Sequence, residues 1–487
     1  MIRFLFFFLA LAQGPSVSAE RPNIVLMMSD DQGWGETAYS GHPHLHTPVL
    51  DEMAASGLRL DRFYAASPVC TPTRASVMTG RHANRSGAFS WNWSIRPGEI
   101  TVAELLKEQG YATGHFGKWH IGAVKADSPL SPKACGFDEY LSHDNFFEMN
   151  PRLSQNGAEP EGREGEGSQV IVDAALEFAQ RQVDGGTPFF VVIWFGSPHD
   201  PYSGLDEDLA LYQELGEEIG ARFAEITAMD RAIGGFRDSL RHWGVHENTL
   251  LWFHSDNGIT TEGVPKEQRD DLWNGHLKGK KGQLDEGGIR VPCLVEWPAV
   301  IRESRQSSFP GVTSDVLPTL LDVLGVSYPD ADRPLDGTSL LPVFRGESPK
   351  KKRHQPIGFW TYNHRPEREN EPWFSNPSAL EMITRTARQE ARAANGETEI
   401  PVFWNHRHPE PKLVMEGEAA WMNSPFKLIV RSLGKKGLSL ELYDVEADPS
   451  ESLNVADSYP EVVEEMRKEL HAWQESVEKS LTGADYE

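Results

Sequence analysis

One of the three cysteines of this chain sits in a stretch whose residue types could do chemistry: Ser67-Pro68-Val69-Cys70-Thr71-Pro72-Thr73-Arg74-Ala75-Ser76-Val77-Met78-Thr79-Gly80-Arg81. Pro72 fixes its own φ and biases Thr71 away from the α region, which predicts a turn around Cys70 with the side chain projecting outward. From Thr73 the pattern becomes helical, with Ala75, Val77 and Met78 available for packing and Gly80 as the stop. A turn running into a helix N-terminus presents unpaired backbone N–H groups and a positive dipole end, a place to hold an anion. The plain alternative for a lone cysteine is a small buried hydrophobe.

Four further polar clusters each follow a short apolar run, as expected where a buried parallel strand ends. Pro22 to Met28 stops at Asp30-Asp31, Tyr111 to Phe116 at Lys118 and His120, Phe189 to Phe195 at His199, and Thr249 to Phe253 at Asp256-Asn257. Lys281 follows, before a strand through Val295. In open α/β sheets ligands bind outside the carboxyl ends of the strands, so these clusters imply one site. Asp30, Asp31, Asp256 and Asn257 offer oxygen ligands only, which suits Ca²⁺ or Mg²⁺ and not Zn²⁺. Arg74, Lys118, His120, His199 and Lys281 supply the local cations that an anionic ester needs.

The elements that must position these groups are legible in outline. Thr47-Pro48 opens a helix through Ala55 with Thr47 as N-cap, and Thr101-Val102-Ala103-Glu104 reads as a capping box for a helix ending at Gly110. Gly157 to Gly167 reads as a surface loop. Ile171, Ala174, Ala175 and Phe178 recur at helical spacing, and Leu209 to Arg241 reads as one long helical stretch. Arg345 to Arg353 is a basic, proline-containing run read as a solvated linker. Beyond it, Phe426 to Arg431 and Leu438 to Tyr443 predict antiparallel strands. The chain closes on a helix from about Tyr459, capped by Ser458 with Glu461 in the box position, burying Val462, Val463, Met466, Leu470 and Trp473. The organisation expected is a leader over 1–19, a catalytic domain over 20–345 and a smaller C-terminal α+β subdomain over 346–487.

At 487 residues the chain is long enough for two domains. Its formal net charge of -25 and pI of about 5.1 repel nucleic acid and anionic membranes at long range. Met1-Ile2-Arg3, the apolar run Leu5 to Ala12 and the small residues Val17-Ser18-Ala19 read as a signal peptide cleaved after Ala19, so the mature chain is expected to be exported, periplasmic or secreted, with no membrane span. Cys135 and Cys293 are expected to be unpaired, buried thiols. Serine-hydrolase elbows, zinc-protease helices and glycine-rich phosphate loops are absent from the sequence.

Cys70-x-Pro72-x-Arg74, followed by Thr79-Gly80-Arg81, resembles the signature of the type I, formylglycine-dependent sulfatases. The resemblance extends through Asp30-Asp31, Gly117-Lys118-Trp119-His120, Ser197-Pro198-His199, Ser255-Asp256-Asn257-Gly258, Lys281-Gly282, Glu286-Gly287-Gly288-Ile289-Arg290-Val291-Pro292 and Glu441-Leu442-Tyr443-Asp444, in family order. It implies the alkaline-phosphatase-like fold: a large mixed, mostly parallel sheet sandwiched by helices, plus a C-terminal part with a short antiparallel sheet and a terminal helix. It implies oxidation of Cys70 to Cα-formylglycine (3-oxoalanine) by a maturating enzyme that reads residues 70–74. The hydrated aldehyde would lie on a cation held by Asp30, Asp31, Asp256 and Asn257, with Cys70 itself contributing a ligand. By the same resemblance Arg74 and Lys118 stabilise the nucleophile, Lys118, Lys281 and His199 hold the sulfate, His199 protonates the leaving alcohol, and His120 takes the proton that releases sulfate; such acid help contributes about 10²–10⁴-fold.

A sulfated small molecule or glycan is the expected substrate, because Trp91, Trp93 and Trp119 lie close in sequence to these motifs and flat aromatic faces suit sugar rings. His364, Arg365, His406, Arg407 and His408 are further candidates for the pocket mouth. Two other readings are a phosphonate monoester or phosphodiester hydrolase, whose members typically carry His where this chain has Asn257, and an anion-binding protein whose Cys70 is never converted. Sequons stand at Asn84-Arg85-Ser86 and Asn92-Trp93-Ser94.

Overall fold

The fold is a computed structural model that describes residues 21–91, 93–347, 353–361, 417–432 and 437–486. Among the described residues ten strands form the main sheet, in the order Arg305–Ser307, Leu58–Leu60, Cys293–Glu296, Thr249–Ser255, Asn23–Ser29, Phe189–Trp194, Ala112–Lys118, Glu139–His143, Arg152–Gln155 and Glu161–Gly162. The five strands from Thr249–Ser255 to Glu139–His143 are parallel neighbours, and antiparallel pairs flank them on both sides. Hence the sheet is mixed and mostly parallel, with the predicted clusters gathered at one end.

The apolar runs are continuous because both faces are covered. Ile24, Leu26, Met28, Val192 and Trp252 face one core, with Val77, Leu106 and Leu317 from three helices. Val25, Met27, Val191, Ile193 and Phe253 face the other, with Met53, Ile171, Phe178, Met229 and Phe236. Strand pleating sends alternate residues to these two layers.

A second sheet, Ile357–Trp360, Ala419–Asn423, Phe426–Ser432 and Leu438–Asp444, is antiparallel throughout. The Pro460–Leu481 helix packs on it through Val463, Met466, Leu470 and Val477.

Several local expectations are corrected. Cys70 is the first residue of the Cys70–Thr79 helix, not part of a preceding turn, and it is buried. Pro72 falls in the first turn, where an amide donor has no intrahelical partner to lose. The stretch from Leu209 divides into Ala210–Leu215 and Glu217–His242 at Gly216, whose φ of 84° only glycine adopts readily. Thr47 occupies the N-cap, but its hydroxyl accepts from Ala38 N at 2.8 Å and does not cap the helix. The terminal helix starts at Pro460 with Tyr459 as N-cap; Ser458 closes a separate turn, because proline at the first position sets the start. Glu161–Gly162 adds a short strand inside the predicted loop. Arg353 is buried against Asp315 at 2.6 Å and is no solvated linker charge. The capping box at Thr101 and Glu104 forms as expected, and none of the three buried cysteines is in a disulfide.

The leader, Asn92 and the five His and Arg residues proposed for the pocket mouth lie outside the described residues. No helix among the described residues is long and apolar enough to cross a membrane.

Candidate active site

The parallel strands deliver their polar ends to one point because the sheet stitches them there: Asp30 N donates to Ser197 O at 3.0 Å and Asp256 N to Ser29 O at 3.1 Å. Asp31 takes the left-handed conformation, φ 68°, which aims its carboxylate away from the strand direction and costs a non-glycine residue strain. Arg222 holds that bend by donating to Asp31 O at 2.8 Å, and Glu36 at 2.6 Å balances the buried guanidinium. Asp31 N in turn donates to Asp256 Oδ1 at 3.0 Å.

Cys70 faces this cradle from its helix. The Cys70 thiol and one oxygen each from Asp30 and Asp256 lie within 4.8 Å of one another. Lys118 Nζ sits 2.6 Å from Asp30 Oδ2 and Arg74 Nη2 2.7 Å from Asp256 Oδ2, all four side chains having no exposed surface. The Arg74 guanidinium also lies over Trp194, 5.1 Å from a ring centroid, which fixes its plane. On the open side Lys281 Nζ is 2.8 Å from Asp31 Oδ2 and 3.4 Å from His199 Nε2. The His199 ring stacks on Phe146 at 4.5 Å, and its Nδ1 meets Asp200 O at 2.6 Å, turning Nε2 toward the cradle.

The electrostatics follow from burial and neighbours. Burial pushes the Cys70 thiol up to about 12 despite Lys118 and Lys281, so the unmodified side chain is a protonated, poor nucleophile. Burial alone would raise Asp31, but Lys281 and His199 hold it well below the usual carboxylate range. Asp256 is raised to about 7 by burial and by Asp30. Burial, then the Lys118 charge, keeps His120 neutral, and burial with Lys281 lowers His199 to about 4.

The residues fit a hard cation. Asp30 Oδ1 and Asn257 Oδ1 are buried and accept no hydrogen bond, while the Asn257 amide donates to Asp31 Oδ1 at 2.7 Å and so turns its carbonyl oxygen free. Buried acceptors left open beside three carboxylates are what an oxygen-coordinated divalent ion completes. All ten predicted site positions therefore lie in or beside one cradle. Arg222, Glu36, Phe146 and Trp194 were missed; each acts across a long sequence separation that leaves no local pattern.

The tryptophans divide differently from expectation. Trp119 stacks on Trp194 in the core at 6.0 Å, and Trp93 packs beside Phe89 in the C-terminal core, so neither offers a face to a sugar; Trp91 is exposed. Asn84 is buried and donates to Trp360 O, which removes it as a glycosylation site in the folded chain.

An open α/β sheet with an oxygen-lined cradle and surrounding cations defines a hydrolase of anionic esters. The sulfatase family matches residues 22–326. This chain belongs to that family, within the alkaline-phosphatase-like superfamily, and is a sulfuric-ester hydrolase. It is 32% identical over 377 residues to N-acetylgalactosamine-6-sulfatase of Canis lupus familiaris, covering 71% of this chain and 70% of the relative. Steryl-sulfatase of Homo sapiens is 29% identical over 434 residues, covering 71% and 73%. The fold superposes with TM-score 0.74 on a solved structure described as Ps i-CgsB in complex with k-i-k-neocarrahexaose, at 24% identity over 95% of this chain and 97% of the other.

Proposed function

We propose that this enzyme hydrolyses the sulfate ester of a sulfated carbohydrate, using a formylglycine made from Cys70 and a divalent cation, Ca²⁺ or Mg²⁺, held by Asp30, Asp31, Asp256 and Asn257. The observation that carries the reading is the meeting of open oxygen acceptors, a cysteine and three cations at one set of strand ends. The relative that acts on an N-acetylgalactosamine sulfate and the neighbour solved with a neocarrahexaose support a sugar as the alcohol.

When bound, the cation would supply Lewis-acid polarisation and charge neutralisation, and the aldehyde at position 70 would supply, once hydrated, an oxygen nucleophile that the thiol lacks. Lys118 and Arg74, pinned by Asp30 and Asp256, place fixed positive charge against position 70 as negative charge develops there. Lys281 and His199 face the same opening and hold the sulfate oxygens. His199, its plane set by Phe146 and its Nδ1 donating to Asp200 O, turns Nε2 to the opening; the negative charge of the bound ester would raise its affinity for a proton, so that Nε2 takes one up with the substrate and passes it to the leaving alcohol. His120 lies deeper and takes the proton that frees the product. The maturating enzyme that reads residues 70–74 is the implied partner, residues 1–19 the implied export signal, and a boundary near 345 the implied division into catalytic and C-terminal parts.

The test is release of inorganic sulfate from sulfated oligosaccharides, measured beside phosphodiester and phosphonate monoester substrates. We expect kcat/KM on a sulfated sugar to exceed that on either phosphorus ester by about tenfold or more; the reverse order would favour a phosphonate or phosphodiester hydrolase.

A further inference from the structure

The Glu286-Gly287-Gly288 motif lies five residues beyond Lys281, outside the cradle. Glu286 is fully buried and its carboxylate faces away from the cation ligands, toward the C-terminal sheet. There Lys427 Nζ lies 2.7 Å from Glu286 Oε1 and 2.8 Å from Glu451 Oε1, with no side-chain exposure at any of the three, and it donates to Leu284 O at 3.2 Å. Glu451 Oε2 accepts from Glu286 N at 2.8 Å, and Tyr64 OH donates to Glu286 Oε2 at 3.0 Å. One residue back, Asp285 meets Arg431 Nη2 at 2.7 Å, and Arg431 also pairs with Glu418 and Glu441 at 3.1 Å each.

The loop carrying Lys281 is closed on itself: Gly287 N donates to Lys278 O at 2.7 Å and Gln283 N to Lys280 O at 3.0 Å. On the reaction side it is held by backbone bonds, Lys281 N to Ile259 O at 2.8 Å, Gly282 N to Pro68 O at 2.9 Å and Gly258 N to Gly288 O at 2.9 Å, and by the Lys281 ammonium, 2.8 Å from Asp31 Oδ2 and 3.3 Å from Glu262 Oε2. A Cβ on Gly258 would stand 2.0 Å from Gly287 O, so the loop is laid directly against the strand end that carries Asn257. Residues 285 and 286 are reached from the C-terminal part by three charged groups, Lys427, Glu451 and Arg431.

We propose that Lys427 and Arg431 are positioning residues for sulfate binding: the C-terminal sheet grips residues 284–286 and thereby sets where Lys281 Nζ stands relative to His199 and position 70. This rests on the reading of Lys281 as a sulfate-holding group. Binding groups must be held to a few tenths of an ångström to be effective, and a buried lysine between two carboxylates cannot be removed without the loop relaxing toward a new balance of charge.

The experiment compares Lys427→Met, Arg431→Met and Arg431→Lys with the wild-type full chain on 4-nitrophenyl sulfate, normalised to the fraction of converted Cys70. For Lys427→Met we expect KM and the inhibition constant for inorganic sulfate to rise together by about tenfold, with kcat within about threefold. Arg431→Met, a partly exposed position that tolerates change better, is expected to raise both by about threefold, with Arg431→Lys recovering part of the loss. A purely structural role predicts instead a lower Tm with wild-type KM and sulfate inhibition, and that result overturns the proposal. Should Lys427→Met fail to fold, Arg431→Met decides alone. Lys281→Ala separates the two readings. If it keeps wild-type sulfate inhibition, the role of Lys281 fails and the anchoring with it. If it loses that inhibition while the anchor variants keep theirs, only the anchoring fails.

Discussion

In the cradle at the strand ends, Asp30, Asp31 and Asp256 are crowded together with Arg74, Lys118 and Lys281, and two buried oxygens, Asp30 Oδ1 and Asn257 Oδ1, accept nothing. In the seams that join the C-terminal part to the main sheet the charges are buried as deeply and paired as closely, Lys427 with Glu286 and Glu451, Arg85 with Asp336, Arg81 with Glu99, and the terminal helix closes over them, Arg85 donating to Ser476 O and Ser480 Oγ. One carboxyl from each region shows how partners decide the outcome. Burial and Asp30 raise Asp256 to about 7, whereas at Asp336 burial, which would raise the group, is outweighed by the Arg85 charge and hydrogen bond together with the His82 contacts, and the group is held well below the usual carboxylate range. Burying a charge without a full set of partners is unfavourable, so a fold keeps such a place only where something else completes it. The cradle is built to receive an ion and an ester; the seams are built to be shut.

Asp256→Asn keeps the side chain's shape and removes a ligand charge. It is expected to lower kcat/KM at least about a hundredfold while Tm holds or rises, as does removal of other groups kept for function. Treating the wild type with a chelator should give the same loss, reversed by Ca²⁺ or Mg²⁺, and activity that survives exhaustive chelation would show the cradle needs no ion. The seam should respond the other way. Asp336 accepts from His82 N, Trp473 Nε1 and Arg85, so Asp336→Asn is expected to cost about 3–5 kcal/mol of stability at neutral pH with kcat unchanged. Because its folded pKa is depressed, its contribution is present above the ordinary aspartate value and is lost as pH falls toward the folded one. The Tm gap between wild type and variant should therefore narrow below about pH 4. A constant gap down to pH 2 would remove the ionic account of this seam.

The difference between the regions also explains what the sequence could reveal. Asp30-Asp31, Lys118, His199 and Asp256-Asn257 were legible because parallel strands buried on both faces read as short apolar runs, and each run ends where its ligand-bearing cluster begins. The antiparallel strands around Phe426 and Leu438 were legible for the same reason of local pattern. The seams were not, nor was the support behind the cradle: Lys427 lies 141 residues from Glu286 and Arg222 lies 186 from Glu36, and neither separation leaves a trace in local periodicity. Pro72 misled in the other direction, since a proline compatible with a turn is equally compatible with the first turn of a helix, which is where Cys70 lies. Trp119 adjoins Lys118 and His120 in sequence, which suggests a sugar platform, yet its ring stacks back into the core on Trp194.

The chemical state of Cys70 decides whether this chain turns over sulfate esters by the proposed route. Peptide mass spectrometry across residues 67–81 of the active enzyme, run beside a sulfate-release assay on the same preparation, reads it directly. We expect the peptide to be lighter by about 18 Da, the difference between a thiol and an aldehyde side chain, with activity proportional to the converted fraction and absent in Cys70→Ala. Full turnover from protein whose Cys70 remains a thiol would contradict the central claim.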